Sequence, residues 1–239
     1  MRYAYPPYVV LFMTNRLKRL SLLTLATGLA ITVLFLSYPR VISSLRYLPV
    51  ETALERNWGD YPIPQRQFPI LIGTAKKAIQ TLDHARYWQG LAWLYYIQAY
   101  DLGFDTKQGQ TLLAQSQKAF EVTLTKSPAD PASWLRLAWV RYLLNDENAQ
   151  VIKALKMSFY TGRAERYLML DRLGLALRVT SQFEQQDIPL VRDQVQLSWR
   201  FYPEDVLNYM REGALDKRTL LGVIVRTNPE LASEIEGQL

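Results

Sequence analysis

Cysteine is absent from the chain, and histidine occurs once, at His84. The first absence excludes disulfides, cysteine-ligated zinc and thiol nucleophiles. The second leaves any transition-metal site to be built from carboxylates, and no expected helix offers carboxylates at one-face spacing beside a hard-cation loop. Glycine and proline are sparse, at 11 and 12 of 239 residues, which argues against disorder and against a strand-and-turn fold. No G-x-G-x-x-G, P-loop or G-x-S-x-G pattern occurs. His84 follows Asp83 at an expected helix start, where the aspartate would cap free backbone N–H groups; the histidine reads as a surface or capping residue, not a base. Glu204 with Asp205, and Asp146 with Glu147, read as first-turn partners of the helix dipole. The expectation is a protein that is not an enzyme, with no catalytic residues, no metal and no cofactor.

The longest stretch without an acidic residue is N-terminal. Residues 1–46 carry Arg2, Arg16, Lys18, Arg19, Arg40 and Arg46 and no acid, which leaves 22 of the 28 basic residues against all 22 acidic ones in the remainder. The net charge of +6 therefore belongs to the flanks of a hydrophobic segment and not to the folded part. Phosphate tracking needs a basic excess on the folded surface, so nucleic-acid binding is not expected.

That segment, residues 20–38, is 19 residues without a charge. At about 1.5 Å per residue it spans nearly the ~30 Å hydrocarbon layer, and it lacks the polar stripe of a soluble core helix. Arg16, Lys18 and Arg19 abut its N-terminal side, while Glu51 and Glu55 soon follow Arg40 and Arg46 on the other. The positive-inside rule then puts the N-terminus in the cytoplasm and the rest outside it. The run exceeds a signal-peptide core and no A-x-A site follows, so an uncleaved anchor is expected, in contact with the lipid bilayer through residues 20–38.

With 49% hydrophobic and 12% aromatic residues, the remainder has ample material for a core, and its signals are helical. Pro49 is expected to open a short helix over 51–58, and Tyr61-Pro62-Ile63-Pro64 to be an extended connector. Helices follow over 68–82, 83–100 and 111–126. The expected organisation is 1–19 as a short cytoplasmic N-terminus, 20–38 as transmembrane anchor, 39–64 as linker with a short helix, and 65–239 as the helical domain.

A repeat is visible within that domain. Trp88-x2-Leu91-Ala92-x2-Tyr95 returns as Trp134-x2-Leu137-Ala138 with Tyr142 close to the last position; Ser116, Phe120 and Thr123 mark the second helix of the first pair, which closes on Pro128. The small residue lets antiparallel helices approach, large ones fill the gap, and proline stops the second helix. The pattern resembles the tetratricopeptide repeat over residues 84–162. The resemblance implies an all-α fold, an α-solenoid of helical hairpins with C-terminal capping helices over 164–179, 188–201, 204–211, 217–226 and 229–236. The tryptophans are 46 residues apart, not 34, so about 12 extra residues are expected in the loop at 101–110. In the second repeat Gln150, Ala154 and Gly162 take the second-helix positions and the aromatic is lost.

The stretches SPADPASWLRLAWVRYLL (127–144), ALKMSFYTGRAERYLMLDRLGLALR (154–178) and VQLSWRFYPEDVLNYM (195–210) also resemble membrane-anchored helical proteins encoded beside bacterial cell-surface polysaccharide genes. That resemblance implies a bacterial envelope protein of the inner membrane, with its helical domain in the periplasm and a protein partner there. In the tetratricopeptide arrangement the first helices line the concave face, so Gln89, Trp93 and Tyr96, then Leu135, Trp139 and Tyr142, are expected to face a protein partner. Each triplet is spaced i, i+4, i+7 on one helical face. Two outcomes stay open: a groove that holds a ligand, or one filled by the C-terminal helices. Two roles also stay open, an interaction scaffold and a structural subunit that makes its main contact through the transmembrane helix, where Thr24, Thr27, Gly28 and Ala30 permit close packing.

Overall fold

The computed structural model describes residues 7–59, 61–179 and 183–211, together with 222, 224–225 and 229–238. Among the described residues the chain is all-α, without a strand. Ten helices are described: α1 (Pro7–Trp58), α2 (Phe68–Thr81), α3 (Ala85–Leu102), α4 (Lys107–Lys126), α5 (Pro131–Leu143), α6 (Asn148–Thr161), α7 (Met169–Arg178), α8 (Ile188–Phe201), α9 (Pro203–Arg211) and α10 (Pro229–Gln238). Of the segment expected as a short N-terminus, 1–19, residues 1–6 lie outside the described residues and the rest belongs to α1, and most of the helix expected over 217–226 also lies outside them.

α1 corrects the expected linker. It runs unbroken for 52 residues with Pro39 and Pro49 inside it, so Pro49 opens no new helix. From residue 20 its apolar window is wholly exposed, and it is long and apolar enough to cross a membrane. Farther along, Ser43, Tyr47, Val50 and Leu54 are buried, at spacings of four, three and four. That stripe packs with Phe68, Leu71, Ala75 and Ala78 of α2 and with Tyr87, Leu91 and Leu94 of α3. Burying large apolar side chains stabilises by roughly 1.5–3 kcal/mol each. Three of them outweigh the ~3 kcal/mol cost of an interior proline, and the helix stays continuous.

Short connections force α2 to α6 into an up-and-down succession. Residues 82–84, 103–106, 127–130 and 144–147 are the links. At the first, the cap is His84 and not Asp83: His84 Nδ1 accepts from the Arg86 N–H at 3.2 Å. Asp83 instead accepts from Trp88 Nε1 at 2.6 Å and from Lys126 Nζ at 2.6 Å, tying the start of α3 to the end of α4. At the second link Gly103 sits at φ +86, a conformation that favours glycine. Thr106 caps α4 through the Gly109 N–H at 3.0 Å. At the third, Asp130 Oδ1 accepts from the Ala132 N–H at 3.1 Å, with Pro131 in the first helical position.

The residues of the repeat pattern lie where helices meet. Leu91, Ala92, Tyr95, Phe120, Leu137 and Ala138 are buried, and Ser116 Oγ donates to the Ala92 carbonyl at 2.9 Å where α3 and α4 approach. Trp134 Nε1 donates to the carbonyl of Pro128, which is itself exposed in the turn. The extra length of the first pair is not in a loop. α3 and α4 have 18 and 20 residues, against 13 and 14 in α5 and α6, and the link between them is four residues. Ala154 is buried, Gln150 is exposed, and Gly162 follows the end of α6. Phe159, five residues beyond Ala154, supplies an aromatic to the core. The C-terminal helices form a further cluster in which Leu173 and Leu177 meet Val206, Leu207, Met210 and Ile235.

Candidate functional site: a cleft between the long helix and the hairpins

The end of α1, the starts of α3 and α5, and the turn before α7 enclose a cleft of about 510 Å³. α1 contributes Glu51, Glu55 and Trp58, α3 contributes Gln89 and Trp93, α5 contributes Arg136, and the turn before α7 contributes Tyr167. Trp58 and Tyr167 are exposed, at 63% and 68%. Trp93 is half-buried and organises the floor. Its ring meets Trp58 edge-on at 6.2 Å, Tyr96 at 5.6 Å and Phe120 at 6.3 Å. The Arg136 guanidinium lies 4.6 Å over its centroid while donating to Asp171 at 2.7 Å.

The polar groups around this floor are already engaged. The Gln89 amide donates to Asp130 Oδ2 at 2.7 Å and to Ser133 Oγ at 3.0 Å, bridging α3 to the cap of α5. Glu51 pairs with Arg86. Glu55 is exposed at the mouth. The site therefore offers aromatic faces, one carboxylate and a stacked guanidinium, which suits binding. No cysteine is present and the sole histidine is spent on a cap. Among the described residues no group of three or more His, Asp or Glu is placed to hold a metal ion.

The six residues expected on one concave face separate. Gln89 and Trp93 line the cleft. Tyr96 touches Trp93 edge-on and Phe104 at a tilt, and burial pushes its hydroxyl pKa up. Leu135 is a correction: it is fully buried in the core and has no surface for a partner. Trp139 and Tyr142, in edge contact at 5.9 Å, line no part of the cleft, and Arg178 of α7 lies 5.4 Å over the Trp139 ring.

The α1 wall and Tyr167 were not foreseen. The spacing of Ser43, Tyr47, Val50 and Leu54 carried the signal, but the expectation that Pro49 starts a helix concealed it. Comparison with known proteins adds no relative: no family model, no curated protein and no solved structure matches this chain.

Proposed function

We propose that this protein is a membrane-anchored, non-enzymatic scaffold whose tetratricopeptide-like hairpins hold a protein segment in the cleft beside α1. The carrying observation is that two exposed aromatics, Trp58 and Tyr167, line one cleft together with Trp93, on which the Trp58 ring rests edge-on. Aromatic side chains in a concave site supply large contact area at low entropic cost and dominate interface energetics. The solenoid reading assigns α3–α4 and α5–α6 as the two repeats, supported by fully buried Ala92 and Ala138. In this reading α1 crosses the inner membrane with its N-terminus in the cytoplasm and the hairpins in the periplasm. The place in bacterial envelope polysaccharide assembly rests on the family resemblance alone.

The test is purification of the full-length protein from mildly solubilised native membranes, with mass spectrometry of what accompanies it. A protein recovered with the wild type and lost from both Trp58→Ala and Tyr167→Ala supports the cleft. Retention by both variants, with unchanged helical circular dichroism, rejects it.

A second reading, an accessory subunit bound mainly through its transmembrane helix, is favoured by the exposed apolar side chains of α1 over residues 20–38. Replacing residues 20–38 by an unrelated anchor separates the two. A cleft scaffold keeps its partner and a packed subunit loses it.

A further inference from the structure

Where α1 leaves its apolar run, the charges around it are of one sign. Residues 1–50 hold no acid, and neither do residues 61–82, which include α2 and carry Lys76 and Lys77. α2 runs back down α1: Gln67 and Leu71 line a groove with Thr52 and Arg56, and the Ala78 carbonyl near its end accepts from Ser43 Oγ at 2.6 Å. Between the two helices lies an open basin of about 690 Å³ lined by Arg46, Thr74, Lys77, Gln80 and Thr81. Arg46, Lys77 and Gln80 are exposed. Arg46 Nη1 donates to Thr81 Oγ1, which holds the guanidinium over the last turn of α2, and a guanidinium has further N–H donors to give. Among the described residues neither Arg46 nor Lys77 takes part in an ion pair. Carbonyls that would repel an anion at this helix end are occupied, that of Lys77 by the Thr81 hydroxyl at 3.0 Å and that of Ala78 by Ser43. The first acids beyond these stretches, Glu51 on α1 and Asp83 after α2, are held by Arg86 and Lys126.

We propose that this basin binds the phosphate of an anionic phospholipid headgroup. The inference rests on the reading that α1 crosses the bilayer over residues 20–38. Height then selects a lipid over a free anion. Ser43 and Arg46 lie about 7 and 12 Å beyond Tyr38 at 1.5 Å per residue, above a headgroup layer roughly 5–7 Å deep. Side chains lean toward the N-terminus of their helix, so the long Arg46 side chain reaches back toward that layer. α2 descends past Ala78, at the level of Ser43, to Gln80 and Thr81 within it. Beneath Arg46 the same face of α1 carries Ile42, Tyr38 and Phe35, at spacings of 4, 4 and 3. Acyl chains lying along that face bring their headgroup to the basin. The charges are complementary: a guanidinium fork suits phosphate oxygens, Lys77 adds a second positive charge, and the Gln80 amide a neutral donor. Basic residues at this height strengthen attachment to an anionic leaflet.

The test places the full-length protein in nanodiscs of phosphatidylcholine with a minor share of phosphatidylglycerol. The protein is released from the discs in a mass spectrometer under native conditions, and the lipid it retains is identified. Phosphatidylglycerol should be retained several-fold above its share of the disc, and excess inorganic phosphate in the buffer should not displace it. Arg46→Gln and Lys77→Gln should each lower that retention about fivefold, with circular dichroism unchanged. Arg66→Gln, which removes an exposed charge at the far end of α2, should retain phosphatidylglycerol as wild type does. Retention no greater than the lipid's share, equal effects of the three substitutions, or displacement by inorganic phosphate would each overturn the proposal, while a chain that stays in the discs leaves the membrane reading standing. A chain that does not enter the discs would overturn both.

Discussion

At Gly90 the packing of α1 on α3 leaves no room for a methyl group. A Cβ there would lie 1.8 Å from Tyr47 Oη and 2.8 Å from its Cζ, in a region where the Tyr47 ring also meets Tyr87 at a tilt, 4.8 Å between centroids. Gly90→Ala should destabilise the full-length protein by about 1–3 kcal/mol, the usual range for overpacking, despite the better helix propensity of alanine. Tyr47→Phe in the same chain removes the nearest atom and should restore part of the loss in thermal melts. Equal melting of Gly90→Ala and wild type would show that α1 does not sit where α3 meets it.

Arg172 is the other tightly fixed residue: it is fully buried, and its guanidinium donates to Ser158 Oγ, the Ser158 carbonyl and the Gly162 carbonyl. Desolvation pulls its pKa down to about 10, so the unfolded chain binds the proton more tightly, and this group's contribution to stability rises with pH above that value. Arg172→Ala should cost about 2–5 kcal/mol, because it opens a cavity and strands two carbonyls at the end of α6. Legibility at this scale was uneven. Ala92 and Ala138 were readable as close-approach residues because small residues in a large-residue pattern have few other uses. Leu135 was not, because i, i+4, i+7 spacing defines a face but not which neighbour covers it.

Elements were legible where a local stop signal existed. Ser127-Pro128 and the Gly103 turn mark ends that the helices respect. They were misread where tertiary packing overrides the local signal, as at Pro49, which α1 passes through because its buried stripe holds it against α2 and α3. The α3–α4 pair is also tied at its base by Asp83, whose carboxyl is held below the usual carboxylate range by hydrogen bonds from Lys126 first and Trp88 second. The sign follows from the lowered value. Its stabilisation is fully present above the unfolded pKa of about 4 and is lost as pH falls through the folded pKa. Asp83→Asn should therefore melt below wild type at neutral pH, and the two curves should converge under strongly acid conditions. A difference that persists undiminished in acid would assign the effect to lost shape and not to charge.

For the whole molecule, the all-helical class and the long apolar N-terminal helix were readable from composition and from one uncharged run. The geometry that joins them was not, since only the packed structure makes α1 a single rod serving both. If that rod crosses the bilayer over residues 20–38, the domain is held at a fixed height and orientation. Ser43, which donates to the Ala78 carbonyl near the end of α2 at 2.6 Å, lies about 7 Å along the helix from Tyr38 at 1.5 Å per residue. The α2 end is thereby placed beside the headgroups. The link between α3 and α4 stands off by the length of α3, whose 18 residues correspond to about 27 Å. A probe on Gln80→Cys should be quenched strongly by headgroup-borne spin labels, and one on Asp105→Cys weakly or not at all. Inserting four glycines after Tyr38 should abolish the difference, because the height is transmitted only by an unbroken helix. Equal quenching at both sites in the uninterrupted chain would mean that the domain lies down on the membrane, and that the anchor and the cleft are mechanically independent.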